Sequence, residues 1–482
     1  MGTTSPPAPP RRATALVTLV AVSAICSAGV AMTLIALPWF VLHTTGSGTR
    51  TGLVAAAELV GLLCSSVSAG PLLDRLPPRA VSVGADALTA AALGLVPLLH
   101  SAGVLGLPLL ALLAFVTGAA RGPADTGKQL LLPAAMERAA VGPERATGAV
   151  EAARRIGTMA GAPLAGVSVA AVGPVPTLLL DTVAVLLGAV LVALLVPAVR
   201  PAGAASGPDA GPDAGPDAGP RSGRDAREPY RQELAAGLRW LRGDRLVRAV
   251  TGVLLVTNAL DGALNGVLYP AYGAQVLGSG PLLGAMVTAM GAGALAGAAV
   301  YGWAGPRLPG RLLFTGSFVL LGAVRCATLA AEPPPGVLLV LLALSGVGSG
   351  VVAPLMMSVA YRRVPEELRG RVFGLLTACA LAATPLGMVG GGLALDRWGL
   401  TGTLLATGTV YLVVTSAPLV FRVWRGLDAA PDGTDGGKGT SGDGTGAGGG
   451  GTDTVGGGGD ANGPGGDGAG RTPAALGAAS TP

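Results

Sequence analysis

The chain has 482 residues, of which 50% are hydrophobic and only 12% charged, with a mean hydropathy of +0.61. A water-soluble protein of this length needs far more charge to cover its surface, so the soluble globular classes are excluded. The basic excess is small, +5 with a pI near 9.3; it reflects arginines gathered on one side of a membrane rather than a nucleic-acid surface.

Apolar runs of roughly 20 residues, long enough to cross a hydrocarbon core of about 30 Å, recur along the whole chain. Bounded by Gly, Pro or charge, they lie near 14-42, 50-70, 80-101, 103-123, 147-172, 174-198, 247-274, 281-303, 311-331, 336-360, 370-395 and 400-422. The expected fold class is therefore all-α integral membrane, with twelve transmembrane helices. The first run extends from Ala13 to about Leu42, longer than the apolar region of a signal peptide, and reads as a retained span.

Lys and Arg set the orientation. With a cytoplasmic N-terminus, all 32 except Arg50, Arg325 and Arg397 fall in inner segments or at inner span ends. Both termini are thus expected in the cytoplasm. Residues 1-12 form an N-terminal tail and 13-199 a first six-helix half. Residues 200-228, with three copies of Gly-Pro-Asp-Ala from Gly207 to Ala218, cannot bury a core and read as a disordered linker. In 229-246, Tyr230, Leu234, Leu238, Trp240 and Leu241 alternate with Arg231, Arg239, Arg242 and Arg245. This pattern reads as an amphipathic helix on the inner membrane surface, facing anionic headgroups. Residues 247-425 form the second half, and 426-482 a Gly-rich disordered cytoplasmic tail.

The two halves repeat one another. At an offset of 232, Pro38 falls on Pro270, Gly46-Ser47-Gly48 on Gly278-Ser279-Gly280, Gly52 on Gly284, Gly70 on Gly302, Arg75 on Arg307 and Arg79 on Arg311. At an offset of 222, Pro143-Glu144, Gly148 and Pro163-Leu164 fall on Pro365-Glu366, Gly370 and Pro385-Leu386. Two parallel six-helix repeats are the architecture of a secondary transporter with its site at the interface of the halves.

From Ala13 to Arg425 the chain resembles the major facilitator superfamily. Gly70-x-x-x-Asp74-Arg75-x-x-x-Arg79 matches the signature loop of that family between helices 2 and 3. Gly161-Ala-Pro163-Leu-Ala-Gly166 looks like the antiporter motif of its drug-exporting branches, with Ala162 interposed between Gly and Pro. The runs Thr177-Leu-Leu-Leu-Asp181 and Leu234-Ala-Ala-Gly-Leu-Arg-Trp-Leu-Arg242 are similar to a branch containing macrolide and siderophore exporters. The resemblance implies that Asp74 caps the start of helix 11 near Gly370 and holds a cytoplasmic gate shut. Gly70, Arg75 and Arg79 belong to the same gate. The second copy carries Pro306 where Asp74 stands, so gating is expected to differ between the halves.

Ionisable residues inside spans carry the strongest functional signal, because each costs on the order of 2.5 kcal/mol or more unless it faces a cavity or a partner. They are Glu58, Asp86, Asp181, Asp261 and Arg325, four acids to one base. Asn258, Asp261 and Asn265 share a helical face that Tyr269 continues, and they are expected to line a central cavity. Glu58 and Asp181 join them as a substrate and proton pathway, with Asp261 first and Glu58 second as proton carrier. Asp86 lies nearer the cytoplasm, where Arg121 is its expected partner in the gate. No basic residue occurs between Leu107 and Ala120 of span 4.

The expected activity is proton-coupled export of amphiphilic, drug-like or siderophore-like compounds by alternating access. Import of a metabolite and a non-transporting receptor or scaffold are the rival readings. The expected partners are a small-molecule substrate, protons and membrane lipids, with no nucleic acid, and the chain is expected to act as a monomer in the bacterial cytoplasmic membrane. Gly122-Pro-Ala-Asp-Thr-Gly127-Lys128-Gln129 falls short of a phosphate-binding loop, because Gln129 replaces the required hydroxyl. With only His43 and His100, and four cysteines inside apolar runs, no metal site, catalytic group or cofactor is expected.

Overall fold

A computed structural model of the chain describes residues 10–198, 245–277, 280–304, 307–363, 369–421 and 424. The 200-228 linker, the 426-482 tail and most of the 229-246 segment lie outside these residues. Arg245 and Leu246, assigned from sequence to the surface helix, instead begin the seventh span.

The first half comprises α1 (Pro10–Thr45), α2 (Gly48–Arg75), α3 (Pro78–Ser101), α4 (Leu107–Ala139), α5 (Pro143–Val172) and α6 (Pro174–Leu195). The second comprises α7 (Arg245–Leu277), α8 (Gly280–Ala304), α9 (Gly310–Ala331) and α10 (Pro335–Arg363). Its last two helices, α11 (369–398) and α12 (400–415), form a continuous run that breaks at Gly399, whose φ of 69° marks the turn between two antiparallel spans. Twelve helices among the described residues match the expected twelve spans.

Prolines inside the helices, such as Pro38, Pro97, Pro123, Pro133, Pro163 and Pro354, do not end them. In a membrane, neighbouring helices and hydroxyl side chains take up the freed carbonyls, and water offers no alternative. α7 and α9 also contain π-helical turns, at Leu264–Leu268, Gly273–Leu277 and Val319–Val324. α2 bends by 49° between Gly48–Ser65 and Ala69–Arg75.

Packing follows the repeat. Within the first half α1 lies on α5 and α6, α2 on α4, and α3 on α4 and α6. In the second half, α8 on α10 is the counterpart of α2 on α4. Two seams join the halves, α2 against α11 and α5 against α8. Small residues make these approaches possible: a methyl group at Gly157 or Gly161 would collide with the backbone of α1 at Ala24 or Ala28.

The apolar core divides unevenly across the membrane. On the face carrying the α1–α2 turn, a single cluster spans both halves and includes Phe40, Leu113, Ala165, Leu268, Met286, Leu342 and Leu404. On the face where α1 begins, the described residues form three separate clusters, one of them the small group Ala69, Leu73 and Val81 between α2 and α3. Leu16, Leu19, Leu131 and Val192 belong to the first half, and Val250, Phe314, Leu355 and Tyr411 to the second. Among the described residues, the halves thus share an apolar core on one face and not on the other.

Candidate functional site: buried charge clusters between the helices

α4 decides the electrostatics of the first half. It runs 33 residues, well past the Gly122-Pro123 pair that marked its end in the sequence, so Arg121 lies near the middle of the helix rather than at its end and Lys128 lies inside it rather than beyond it. Arg121 stands near its middle and forms an ion pair with Glu58 of α2. Its second amino group donates to Thr33 Oγ1 of α1 at 2.9 Å. Thr33 in turn donates to Asp181 Oδ2 of α6. Four helices thus meet in one chain of contacts, Glu58–Arg121–Thr33–Asp181. Asp181 is only 1% exposed, and its Oδ1 has no hydrogen-bond partner among the described residues.

A second cluster sits one helical stretch further along α4. Lys128 Nζ lies 3.0 Å from Asp86 of α3 and 3.3 Å from Cys26 Sγ of α1. The expected Asp86–Arg121 partnership is therefore corrected: Lys128 takes Asp86, and Arg121 takes Glu58 at mid-helix rather than in the gate. The expected absence of a base in the middle of helix 4 and the balance of four buried acids to one base are corrected with it. Arg121, Lys128 and Arg325 oppose Glu58, Asp86, Asp181 and Asp261. Beside Lys128 a cavity of about 630 Å³ opens between α1, α4 and α5, where Ser23, Cys26, Asp125, Glu151 and Arg154 line it.

The second half holds the third cluster. Arg325 of α9, 2% exposed, pairs with Asp261 of α7, and Tyr411 of α12 donates its hydroxyl to Asp261 Oδ2 at 3.2 Å. The guanidinium also lies 5.9 Å from the centre of the Tyr269 ring. A π-helical turn follows Asp261 and another precedes Arg325; such turns often re-aim side chains at functional positions. Gly322 makes room for the Tyr411 ring, which a Cβ there would strike.

The expected polar stripe on α7 is divided. Asn265 is the exposed member of an otherwise buried stretch from 262 to 273, and its amide donates to the Asp261 carbonyl at 2.9 Å. Asn258 is half-buried and bonds to Leu254 O at 2.8 Å. Tyr269 does not line an opening. It is buried, with its hydroxyl on Met290 Sδ at 2.7 Å. In the signature loop, Arg79 donates to the Ala193 carbonyl at the end of α6, whereas Gly70, Asp74 and Arg75 are exposed. α11 begins at Arg369, beside the expected cap position Gly370, whose surroundings lie outside the described residues.

This arrangement of two pseudo-repeated helical halves enclosing buried ion pairs agrees with the comparisons. Residues 19–260 and 251–463 match the family described as Major Facilitator Superfamily. The chain belongs to the Major Facilitator Superfamily. Among its relatives, the multidrug efflux pump Tap of Mycobacterium bovis is 31% identical over 415 residues, covering 84% of this chain and 93% of that protein. Tap of Mycolicibacterium fortuitum is 29% identical over 407 residues, covering 84% and 94%. Solved facilitator structures share the fold. The nucleoside transporter NupG has a TM-score of 0.61 at 14% identity, with 83% of this chain and 97% of that one covered. A bacterial homologue of the lysosomal transporter Spinster, in an inward-facing and unoccupied conformation, has a TM-score of 0.58 at 12% identity, covering 87% and 97%. As a facilitator, the protein is a multi-pass membrane transporter of small molecules and not an enzyme.

Sequence reasoning missed Thr33, Lys128 and Tyr411. The signal for Lys128 was available in the spacing: Arg121 and Lys128 are seven residues apart, two helical turns on one face, which suits a continuing helix better than a loop. Thr33 and Tyr411 carry no such signal, because a hydroxyl in an apolar run is most often satisfied by its own helix.

Proposed function

We propose that this facilitator exports amphiphilic organic compounds from the cytoplasm across the cell membrane, driven by protons and acting as a monomer. The observation that carries the export reading is the similarity to efflux pumps along nearly the whole length of both chains. The arginine bias places the face where α1 begins in the cytoplasm. On that placement the face without a shared core among the described residues is cytoplasmic, which supports an inward-facing state ready to take substrate from the cell interior.

Charge balance favours Asp181 as the proton carrier over Asp261 or Glu58. Asp261 faces a buried guanidinium, and Glu58 shares Arg121 directly. Among the described residues Asp181 has only a hydroxyl donor, and it is almost fully enclosed. A lone buried carboxylate is costly when ionised, and taking up a proton relieves that cost while leaving the Glu58–Arg121 pair neutral. When the site opens to the other face and is hydrated, the proton departs. Asn265, Asp261 and the cavity beside Lys128 supply the polar patches of an otherwise apolar substrate path. Asp74, with Gly70, Arg75 and Arg79, closes the cytoplasmic end in the opposite conformation by capping α11 near Gly370.

Ethidium efflux from an efflux-deficient host, together with dye-driven proton release from everted vesicles, tests this reading. Both should appear with the wild-type protein, and proton release should disappear in Asp181→Asn. Efflux that persists after the proton gradient is collapsed would remove proton coupling.

A further inference from the structure

We propose that Asp396 is the latch of the α2–α11 seam on the face opposite the signature loop, and that it exchanges with Asp74 during transport. Asp396 lies at the end of α11, in the second half of the molecule. Its carboxylate accepts hydrogen bonds from Ser47 Oγ at 2.9 Å, the Gly48 amide at 2.6 Å and the Thr49 amide at 2.9 Å. All three donors belong to the start of α2, in the first half. A carboxylate at this position meets unpaired amides and the positive end of the helix dipole. Ser47 also caps α2 from within, accepting from the Arg50 amide at 3.3 Å, so the latch joins an ordered helix start.

The seam beside the latch is closed tightly. A Cβ at Gly52 would collide with the Met388 carbonyl, and one at Gly392 with the Gly48 carbonyl. The sequence supplies an independent observation. Gly392-x-x-x-Asp396-Arg397 repeats the spacing of Gly70-x-x-x-Asp74-Arg75. α2 and α11 run antiparallel along their seam, so Asp396 at the end of α11 sits beside the start of α2, and closing the other end of the seam would carry Asp74 at the end of α2 toward the start of α11. Each aspartate can reach its cap only where its own end of the seam is shut. In this structure Asp396 is engaged and Asp74 is exposed. Rocking the halves therefore trades one helix cap for the other, which keeps the two end states close in free energy and lets a bound substrate or proton tip the balance.

This inference rests on the transport reading, but its main test needs no substrate. Spin labels at Leu53→Cys and Leu393→Cys, both on outward surfaces of the two helices, report the width of the seam in nanodiscs once the native cysteines are replaced. The short distance should dominate in the otherwise wild-type protein. Asp396→Ala should raise the ratio of long to short distances about tenfold, and Asp74→Ala should lower it. Ser47→Ala should give a smaller shift in the direction of Asp396→Ala, and serves if the latter does not fold. Unchanged distances in Asp396→Ala or Ser47→Ala would overturn the latch. Ethidium efflux should slow in both aspartate variants; a wild type that moves no dye while its distances shift as described would defeat the export reading alone.

Discussion

The two halves share a helix plan yet treat buried charge in opposite ways. The first half gathers Glu58, Arg121 and Asp181 around Thr33, leaving one carboxylate more than its cation can match. The second half matches Asp261 with Arg325 and closes the pair with Tyr411. Duplication preserved where helices touch, while the chemistry between them was free to diverge. In the proposed mechanism the unmatched carboxylate of the first half is the group that takes up the proton. The matched pair joins α7, α9 and α12 of the second half, and in the proposed mechanism it is a neutral anchor rather than a proton carrier.

Several substitutions break or sharpen this contrast. The largest effect is expected at Arg325. Arg325→Met leaves the half-buried Asp261 without its cation and should cost about 3 kcal/mol, read as a lowered Tm of the detergent-solubilised protein. Asp261→Asn in the same chain should restore much of the loss if the cluster is an anchor; no restoration would show that Arg325 has another essential partner. Next is Asp181→Asn, which should abolish the pH dependence of efflux with little change in Tm, while Asp261→Asn should keep the pH dependence. The reverse pattern in vesicle assays would place the titrating group in the second half.

Two glycines probe the clusters sterically. A Cβ at Gly322 meets the Tyr411 ring, and one at Gly29 meets the Asp181 carboxylate. Each Gly→Ala change should cost about 1–3 kcal/mol by overpacking. Gly29→Ala should also shift the pH profile of efflux, and Gly322→Ala should leave it in place. The smallest effect is expected from Thr33→Val, which removes the hydroxyl between Arg121 and Asp181 at about 1 kcal/mol. It should alter the pH profile more than the Tm, and a Tm change alone would make Thr33 a packing residue.

Much of this contrast was hidden by one boundary. Gly122-Pro123 reads as the end of a span because Gly and Pro stop helices in water, and because Arg121 and Lys128 look too polar for a membrane interior. In the fold, Glu58 and Asp86 meet these cations from neighbouring helices, so the helix has no reason to leave the membrane there. The partners lie 63 and 42 residues away in sequence, and no local pattern announces them. Asp261 and Arg325 were both legible as costly intramembrane charges, but their mutual pairing was not. Tyr269 continues the α7 stripe by spacing, yet the π-helical turn at Leu264–Leu268 lies between it and Asp261, and it faces the packed core.

The sequence by itself determined the membrane class, the twelve spans, the duplication and the family resemblance. These depend on hydropathy, charge bias and repeated Gly, Pro and Arg positions, all of which are local or periodic. Only the tertiary structure decided which charge meets which, that a shared apolar core joins the halves on one face, and that Asp396 holds the start of α2. Those outcomes depend on which helices become neighbours. In a low-dielectric interior a buried charge is tolerated according to the partner that packing brings to it, and that partner is set by the fold as a whole.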